Sequence, residues 1–134
     1  MGVESELSRA ILDNDGSVAP VVLIVEDEYL IGTDLADMIE TDGASVLGPA
    51  ATIQAALALI RATEKIDAAV LDINIRNETV FEVADALVAR GVPFLFTSGY
   101  DVSAIPERFQ QICRHQKPVD YKGLAHDLVG LIAF

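Results

Sequence analysis

The chain has 134 residues, a length that suits one domain with one hydrophobic core. Its formal net charge of −12 argues against nucleic-acid binding, which requires clustered Lys and Arg. No apolar run is long enough for a membrane span, the N-terminus lacks the pattern of a secretory signal, and the single cysteine, Cys113, excludes an internal disulfide. We therefore expect a cytoplasmic protein that binds neither nucleic acid nor membranes.

Strand and helix patterns alternate along the chain. Residues 1–19 are polar and are interpreted as an N-terminal extension with a short helix over 5–12, and the folded domain is expected over 20–134. Within the domain, strands are predicted at five short apolar runs, 21–25, 45–48, 68–73, 92–97 and 112–115. Helices are predicted after each strand: one with its apolar face at 31–39, one capped by Thr52, one begun by a capping box of Thr79 and Glu82, and two over 103–111 and 120–132.

This order predicts an α/β fold, a five-stranded parallel sheet with helices on both faces. Ligands of such folds bind outside the carboxyl ends of the strands, so the residues at those ends are the candidates for a site. They are Glu26-Asp27-Glu28 after the first strand, Asp72 in the third, Thr97-Ser98-Gly99 at the fourth and Lys117 after the fifth.

Three carboxylates, a hydroxyl and a lysine at one edge of the sheet suit phosphoryl transfer. Taken singly, Glu28 could favour a helix N-terminus, Ser98 could be a turn residue and Lys117 a solvated charge. Taken together, the carboxylates would raise one another's pKa unless a cation neutralised them, and hard oxygen ligands suit Mg²⁺. The metal and the lysine would neutralise a transferring phosphoryl group, and an aspartate can accept that group as an acyl phosphate.

At these residues the chain resembles the receiver domain of two-component response regulators, the CheY-like fold, over about residues 20–134. The resemblance rests on Glu26-Asp27, on Asp72 within LDIN, on Ser98 before a small residue and on Lys117-Pro118. The stretches FTSGY (96–100) and LDINIRNETVFEVADAL (71–87) are similar to the FATGUY subgroup of receivers, whose partners are HWE-type histidine kinases.

The resemblance implies the sheet order 2-1-3-4-5 and a metal site. Asp72 would be the phosphorylated aspartate. Asp27 would bind Mg²⁺ directly, Glu26 would bind it directly or through water, and the backbone carbonyl of Asn74 would be a further ligand.

The resemblance also implies a switch. Ser98 would be the switch hydroxyl, with Thr97 as the second choice. Lys117, before a cis peptide bond to Pro118, would pair with Asp72 or its phosphate. Arg114 stands where most receivers have an aromatic reporter residue, and Glu26 stands where Asp is commoner.

The remaining candidate ligands carry plainer interpretations. Cys113 is predicted to be a small core residue. His115 and His126 are far apart in the sequence and have no further ligands beside them, so a zinc site is not expected.

The function expected from these features is that of a stand-alone receiver, phosphorylated on Asp72 by a histidine kinase and passing the signal on by partner binding or through a histidine phosphotransfer protein. It would be no enzyme beyond its own phosphorylation and dephosphorylation. The alternative is a pseudo-receiver that only binds proteins. A phosphatase with an aspartate nucleophile is disfavoured because the first loop lacks D-x-D, and a flavodoxin because that loop is acidic and would repel a flavin phosphate.

Overall fold

The computed structural model describes residues 5–14, 18–100 and 103–134. Its main sheet contains five parallel strands: β1 (Val21–Val25), β2 (Ser45–Ala50), β3 (Ala68–Asp72), β6 (Phe94–Ser98) and β7 (Arg114–Gln116). Two further strands, β4 (Asn74–Ile75) and β5 (Glu78–Thr79), form a small antiparallel hairpin. The order in the main sheet is β2-β1-β3-β6-β7, which is the predicted 2-1-3-4-5 once the hairpin is set aside.

Helices cover both faces of this sheet. They are α1 (Glu6–Asp13), α2 (Tyr29–Thr41), α3 (Ile53–Ala62), α4 (Phe81–Ala89) and α5 (Tyr121–Leu131). Side chains of β1, β3 and β6 alternate between a core layer with α3 and α4 and a core layer with α1, α2 and α5. The predicted fold class is therefore confirmed. Among the residues that the structure describes, no helix has the length and apolar character needed to cross a bilayer.

The helix predicted over 5–12 is present as α1. Ser5 caps it by accepting a hydrogen bond from Ser8 N at 3.0 Å, and its hydroxyl donates to Asp42. Leu7 is fully buried in the core layer that includes α5. Helix α1 is thus packed on the folded domain, while the division of the chain at residues 19 and 20 stays a prediction.

Two of the predicted helix starts are wrong. Thr79 lies in β5 and Val80 is the N-cap of α4 without a side-chain hydrogen bond, so Thr79 and Glu82 form no capping box. The helix predicted over 103–111 is replaced by an irregular segment and one 3₁₀ turn, Glu107–Phe109. Pro106 is extended there (ψ 149°), and Phe109 holds the turn by packing among the buried phenylalanines. The weak last strand lies at 114–116 and not at 112–115.

A bulge in β2 positions the start of the acidic loop. The pairing of β1 and β2 shifts register near Gly48, whose φ is +97°. A Cβ at Gly48 would lie 2.7 Å from both Ala50 N and Ile24 O, so only glycine fits. Past the bulge, Glu26 N donates to Ala50 O at 2.9 Å. This bond fixes the backbone where β1 leads into the carboxylates.

Candidate functional site

Lys117 connects three carboxylates at the carboxyl edge of the sheet. Its Nζ donates to Asp72 Oδ2 at 3.0 Å, Glu26 Oε2 at 3.2 Å and Glu28 Oε1 at 3.2 Å. Glu26 and Asp72 are only 3% and 4% exposed, whereas the Glu28 side chain is 61% exposed. The structure therefore brings together the predicted acids of β1 and β3 and the predicted lysine after β7.

The backbone places Lys117 where it can reach these acids. Residues of β7 pair with β6, and the Lys117 N–H donates to Ser98 O at 2.8 Å just beyond the last strand residue. The Lys117–Pro118 peptide bond is cis, as the resemblance implied. The backbone of Lys117 is thus fixed by a hydrogen bond to β6 directly after β7 ends.

Asp27 is bound by the β4–β5 hairpin, a contact that the sequence did not reveal. Arg76 N donates to Asp27 Oδ2 at 3.0 Å. Arg76 and Asn77, the two turn residues, both have positive φ values (50° and 66°), as a two-residue hairpin of the type I′ kind requires. Asparagine adopts positive φ values more readily than most residues, but an arginine in the sequence gives no indication of a positive φ. The turn forms one wall of the pocket that contains Asp27, Asp72 and Lys117.

Burial and mutual repulsion set the protonation of the pocket. Burial, with the nearby Asp72 carboxylate as the second cause, raises the pKa of Glu26 to about 7. Burial disfavours the charged form of Lys117, but hydrogen bonds to Glu26 and Asp72 outweigh this effect and raise its pKa above the ordinary value. The lysine therefore carries its charge, and the Glu26 carboxyl gives up its proton less readily than an exposed glutamate does.

The acidic side chains fit a hard divalent cation. Glu26, Asp27 and Asp72 each offer a carboxylate oxygen, and these atoms all lie within 4.8 Å of one another. Lys117 Nζ lies 2.9 Å from Glu26 Oε1, yet this buried oxygen has no hydrogen bond within the part of the chain that the structure describes. A donor set made of three carboxylates suits Mg²⁺, which prefers oxygen ligands. Asn74 borders the same pocket, and its N–H donates to Asp72 Oδ1 at 3.3 Å.

The two candidate hydroxyls lie at the end of β6 and differ in direction. Asp72 is the register partner of Thr97, and partners in a parallel sheet project to the same face. Ser98 therefore projects to the other face. Both residues are buried, and Thr97 Oγ1 has no hydrogen-bond partner among the described residues.

Exposed aromatic and apolar side chains surround the acidic pocket. Tyr29 and Leu30 begin α2 directly after the acidic loop, and Tyr100 follows the end of β6; all three are exposed. Arg114 is exposed on β7 and does not occupy a buried aromatic position. The pocket thus opens onto a surface that a protein partner could cover.

Solved structures with the same fold include two of SdrG and one of the response regulator PhyR. SdrG from Sphingomonas melonis Fr1 is 39% identical to this chain, with a TM-score of 0.75 over 86% of this chain and 98% of that chain. SdrG in its beryllofluoride-activated conformation is 37% identical, with a TM-score of 0.69 over 87% of this chain and all of that chain. The response regulator PhyR from Brucella abortus is 26% identical, with a TM-score of 0.67 over 86% of this chain and 48% of that chain. No protein-family model and no curated protein sequence matches the chain.

The fold, the acidic pocket and this similarity define a class of protein. The chain belongs to the receiver-domain family of response regulators, proteins of two-component signalling. Such domains are signalling regulators and not enzymes in the ordinary sense.

Proposed function

We propose that this chain is a receiver of the FATGUY subgroup that accepts a phosphoryl group on Asp72 from a histidine kinase. The observation that carries the proposal is the position of Lys117 Nζ, bonded to both Asp72 and Glu26 in a pocket of carboxylates. A charged lysine beside a buried aspartate is the arrangement expected where a phosphoryl dianion must be neutralised.

In the proposed reaction, an oxygen of Asp72 forms a bond to phosphorus as the P–N bond of the kinase phosphohistidine breaks. The electron pair of that bond goes to the departing imidazole nitrogen, and the product is an acyl phosphate. Glu26, Asp27, Asp72 and the carbonyl of Asn74 would hold Mg²⁺, which supplies positive charge to the transferring oxygens when bound. Lys117 neutralises a further part of that charge and holds the Asp72 side chain in place.

The proposed response begins at the end of β6. The Ser98 hydroxyl, with Thr97 as the second choice, would donate to a phosphoryl oxygen and draw the segment 99–111 toward the pocket. Residues 103–106 and the turn at Glu107–Phe109 carry few regular backbone hydrogen bonds, which is compatible with a segment that changes position. Arg114 cannot supply the aromatic side-chain movement of other receivers.

The proposed partners are proteins of the cytoplasm: an HWE-type histidine kinase that phosphorylates the chain, and a target or histidine phosphotransfer protein that receives the signal in a phosphorelay. Tyr29, Leu30 and Tyr100 beside the pocket support docking of a protein. PhyR from Bartonella quintana, 26% identical, is described as an anti-anti-sigma factor, and by analogy we place the output of this chain in partner binding. The chain would catalyse only its own phosphorylation and dephosphorylation.

Phosphorylation by a small phosphodonor tests this proposal. The protein is incubated with acetyl phosphate and Mg²⁺, and intact mass is measured. We expect one added phosphoryl group on wild type and none on Asp72→Asn or without Mg²⁺. Asp37→Asn is the matched control because Asp37 is an exposed acid on α2, and it should react like wild type. An unmodified wild type would contradict the proposal and favour a receiver that only binds partners.

A further inference from the structure

A second cluster of candidate ligands lies away from the acidic pocket, on β7, on the residue before it and on α5. Cys113 Sγ donates to Asp127 Oδ2 at 3.2 Å, and His115 Nε2 lies 2.7 Å from the same oxygen. The prediction that Cys113 is a core residue is wrong, since it is exposed, and the prediction that His115 has no further ligand beside it is also wrong. Sequence distance concealed this cluster, because Asp127 is contributed by another element.

Regular structure holds the three side chains together. The backbone of Cys113 accepts a hydrogen bond from Phe96 N at 2.9 Å, and His115 pairs with Thr97 of β6. Residues two apart on an extended strand project to the same side, which brings the thiol and the imidazole together. Asp127 comes from the middle of α5. The donor atoms are therefore carried by a strand, by the hydrogen-bonded residue before it and by a helix, which hold them in fixed positions.

We propose that Cys113, His115 and Asp127 form a binding site for a divalent transition-metal ion of the zinc type, separate from the acidic pocket. Their sulfur, nitrogen and oxygen donors lie within 4.8 Å of one another. Tetrahedral zinc with ordinary bond lengths separates such donors by roughly 3.4–3.6 Å. The contacts of 3.2 Å and 2.7 Å to Asp127 would lengthen by roughly 0.2–0.9 Å to reach that spacing, and solvent would complete the fourth position.

The donor types select the metal. Mg²⁺ prefers oxygen ligands over thiols and imidazoles, whereas zinc binds thiolate, imidazole and carboxylate ligands. The two clusters on this chain thus suit different ions. On binding, the Cys113 S–H proton leaves to solvent and a metal–sulfur bond replaces its hydrogen bond to Asp127.

Cobalt substitution tests the site directly. Reduced protein saturated with Mg²⁺ is titrated with Co²⁺, and absorption is recorded. We expect one equivalent to bind, with the visible bands of tetrahedral cobalt and a thiolate-to-cobalt charge-transfer band, and Zn²⁺ should displace it. Cys113→Ser should lose the charge-transfer band, and Cys113→Ser, His115→Gln and Asp127→Asn should each bind at least about tenfold more weakly.

Two controls separate this site from other ligands of the chain. His126→Gln removes an exposed histidine next to Asp127 in sequence that is bonded to Glu6 instead, and it should bind Co²⁺ like wild type. Asp72→Asn should also leave the cobalt spectrum unchanged, so the proposal stands or falls independently of phosphorylation. No charge-transfer band in wild type, or equal affinity in Cys113→Ser, would overturn the proposal and reduce the cluster to a hydrogen-bonded triad.

Discussion

Thr97 and Ser98 present two neighbouring hydroxyls at the end of β6, and substitution separates their roles. We expect Ser98→Ala to bind beryllofluoride with Mg²⁺ but to lose most of the accompanying NMR shifts over 99–111. Thr97→Val should keep those shifts and gain about 1 kcal/mol of unfolding free energy, because the buried Thr97 hydroxyl finds no hydrogen-bond partner in the ranges 5–14, 18–100 and 103–134. Urea unfolding measures the second effect. Loss of the shifts in Thr97→Val alone would assign the switch to Thr97, which shares a face with Asp72.

At the scale of residues, the acids and the lysine of the pocket could be predicted from sequence, but several of their contacts could not. Glu26, Asp27, Asp72 and Lys117 all follow or end parallel strands, and parallel strands share one carboxyl edge. The bond from Arg76 N to Asp27 depends on a left-handed backbone that arginine does not indicate. Contacts of this kind depend on turn geometry and not on residue pattern.

The bulge in β2 requires a glycine at position 48. Gly48→Ala should lower the unfolding free energy by at least about 2 kcal/mol, since the new Cβ meets backbone atoms at 2.7 Å in a conformation with positive φ. Denaturant unfolding measures the change. Gly130→Ala in α5 is the matched control, because a Cβ there meets nothing within 4 Å and alanine favours a helix. Equal stability of Gly48→Ala and wild type would contradict the described bulge.

The contact between α1 and α5 should depend on pH through His126. A hydrogen bond to Glu6 raises the pKa of His126 above 6.5 in the folded protein. The stabilisation is therefore fully present below about pH 6.5, the unfolded pKa, and is lost as pH rises through the higher folded pKa. The hydrogen-exchange protection factors of α1 amides, which compare each observed rate with the intrinsic rate at the same pH, should fall accordingly in wild type. His126→Gln and Glu6→Gln should both remove this pH dependence, and an unchanged dependence in either variant would contradict it.

At the scale of elements, local pattern was sufficient where burial is continuous. The strands β1, β3 and β6 are short apolar runs covered on both faces, and they were predicted to within two residues. The segment 103–111 was not, because Pro106 and the packing of Phe109 on the core override its helical pattern. The start of α4 was missed because the preceding residues pair in a hairpin.

For the whole molecule, Mg²⁺ should act as a stabilising ligand. The chain carries a net charge of −12, and three of its carboxylates converge in one pocket. An ion that binds only the folded chain raises the unfolding free energy by about 2.7 kcal/mol at a hundred times its Kd. Thermal unfolding with MgCl₂, compared with NaCl at equal ionic strength, measures this term. Asp27→Asn should lose the difference and Asp37→Asn should keep it; no difference in wild type would argue against the metal site.

Because Lys117 already makes three hydrogen bonds, it must break one of them to bind a phosphoryl group on Asp72. An ammonium group has three N–H donors, and Asp72, Glu26 and Glu28 accept all three. A phosphoryl group that gains a hydrogen bond from Lys117 must therefore release a carboxylate. If Lys117 keeps its bond to Asp72, as its proposed role requires, Glu28 is the acceptor that leaves, because it is exposed and can return to water whereas Glu26 would be left buried. Glu28 directly precedes Tyr29, the exposed first residue of α2. Its release from Lys117 would therefore change the surface beside the pocket when Asp72 is phosphorylated.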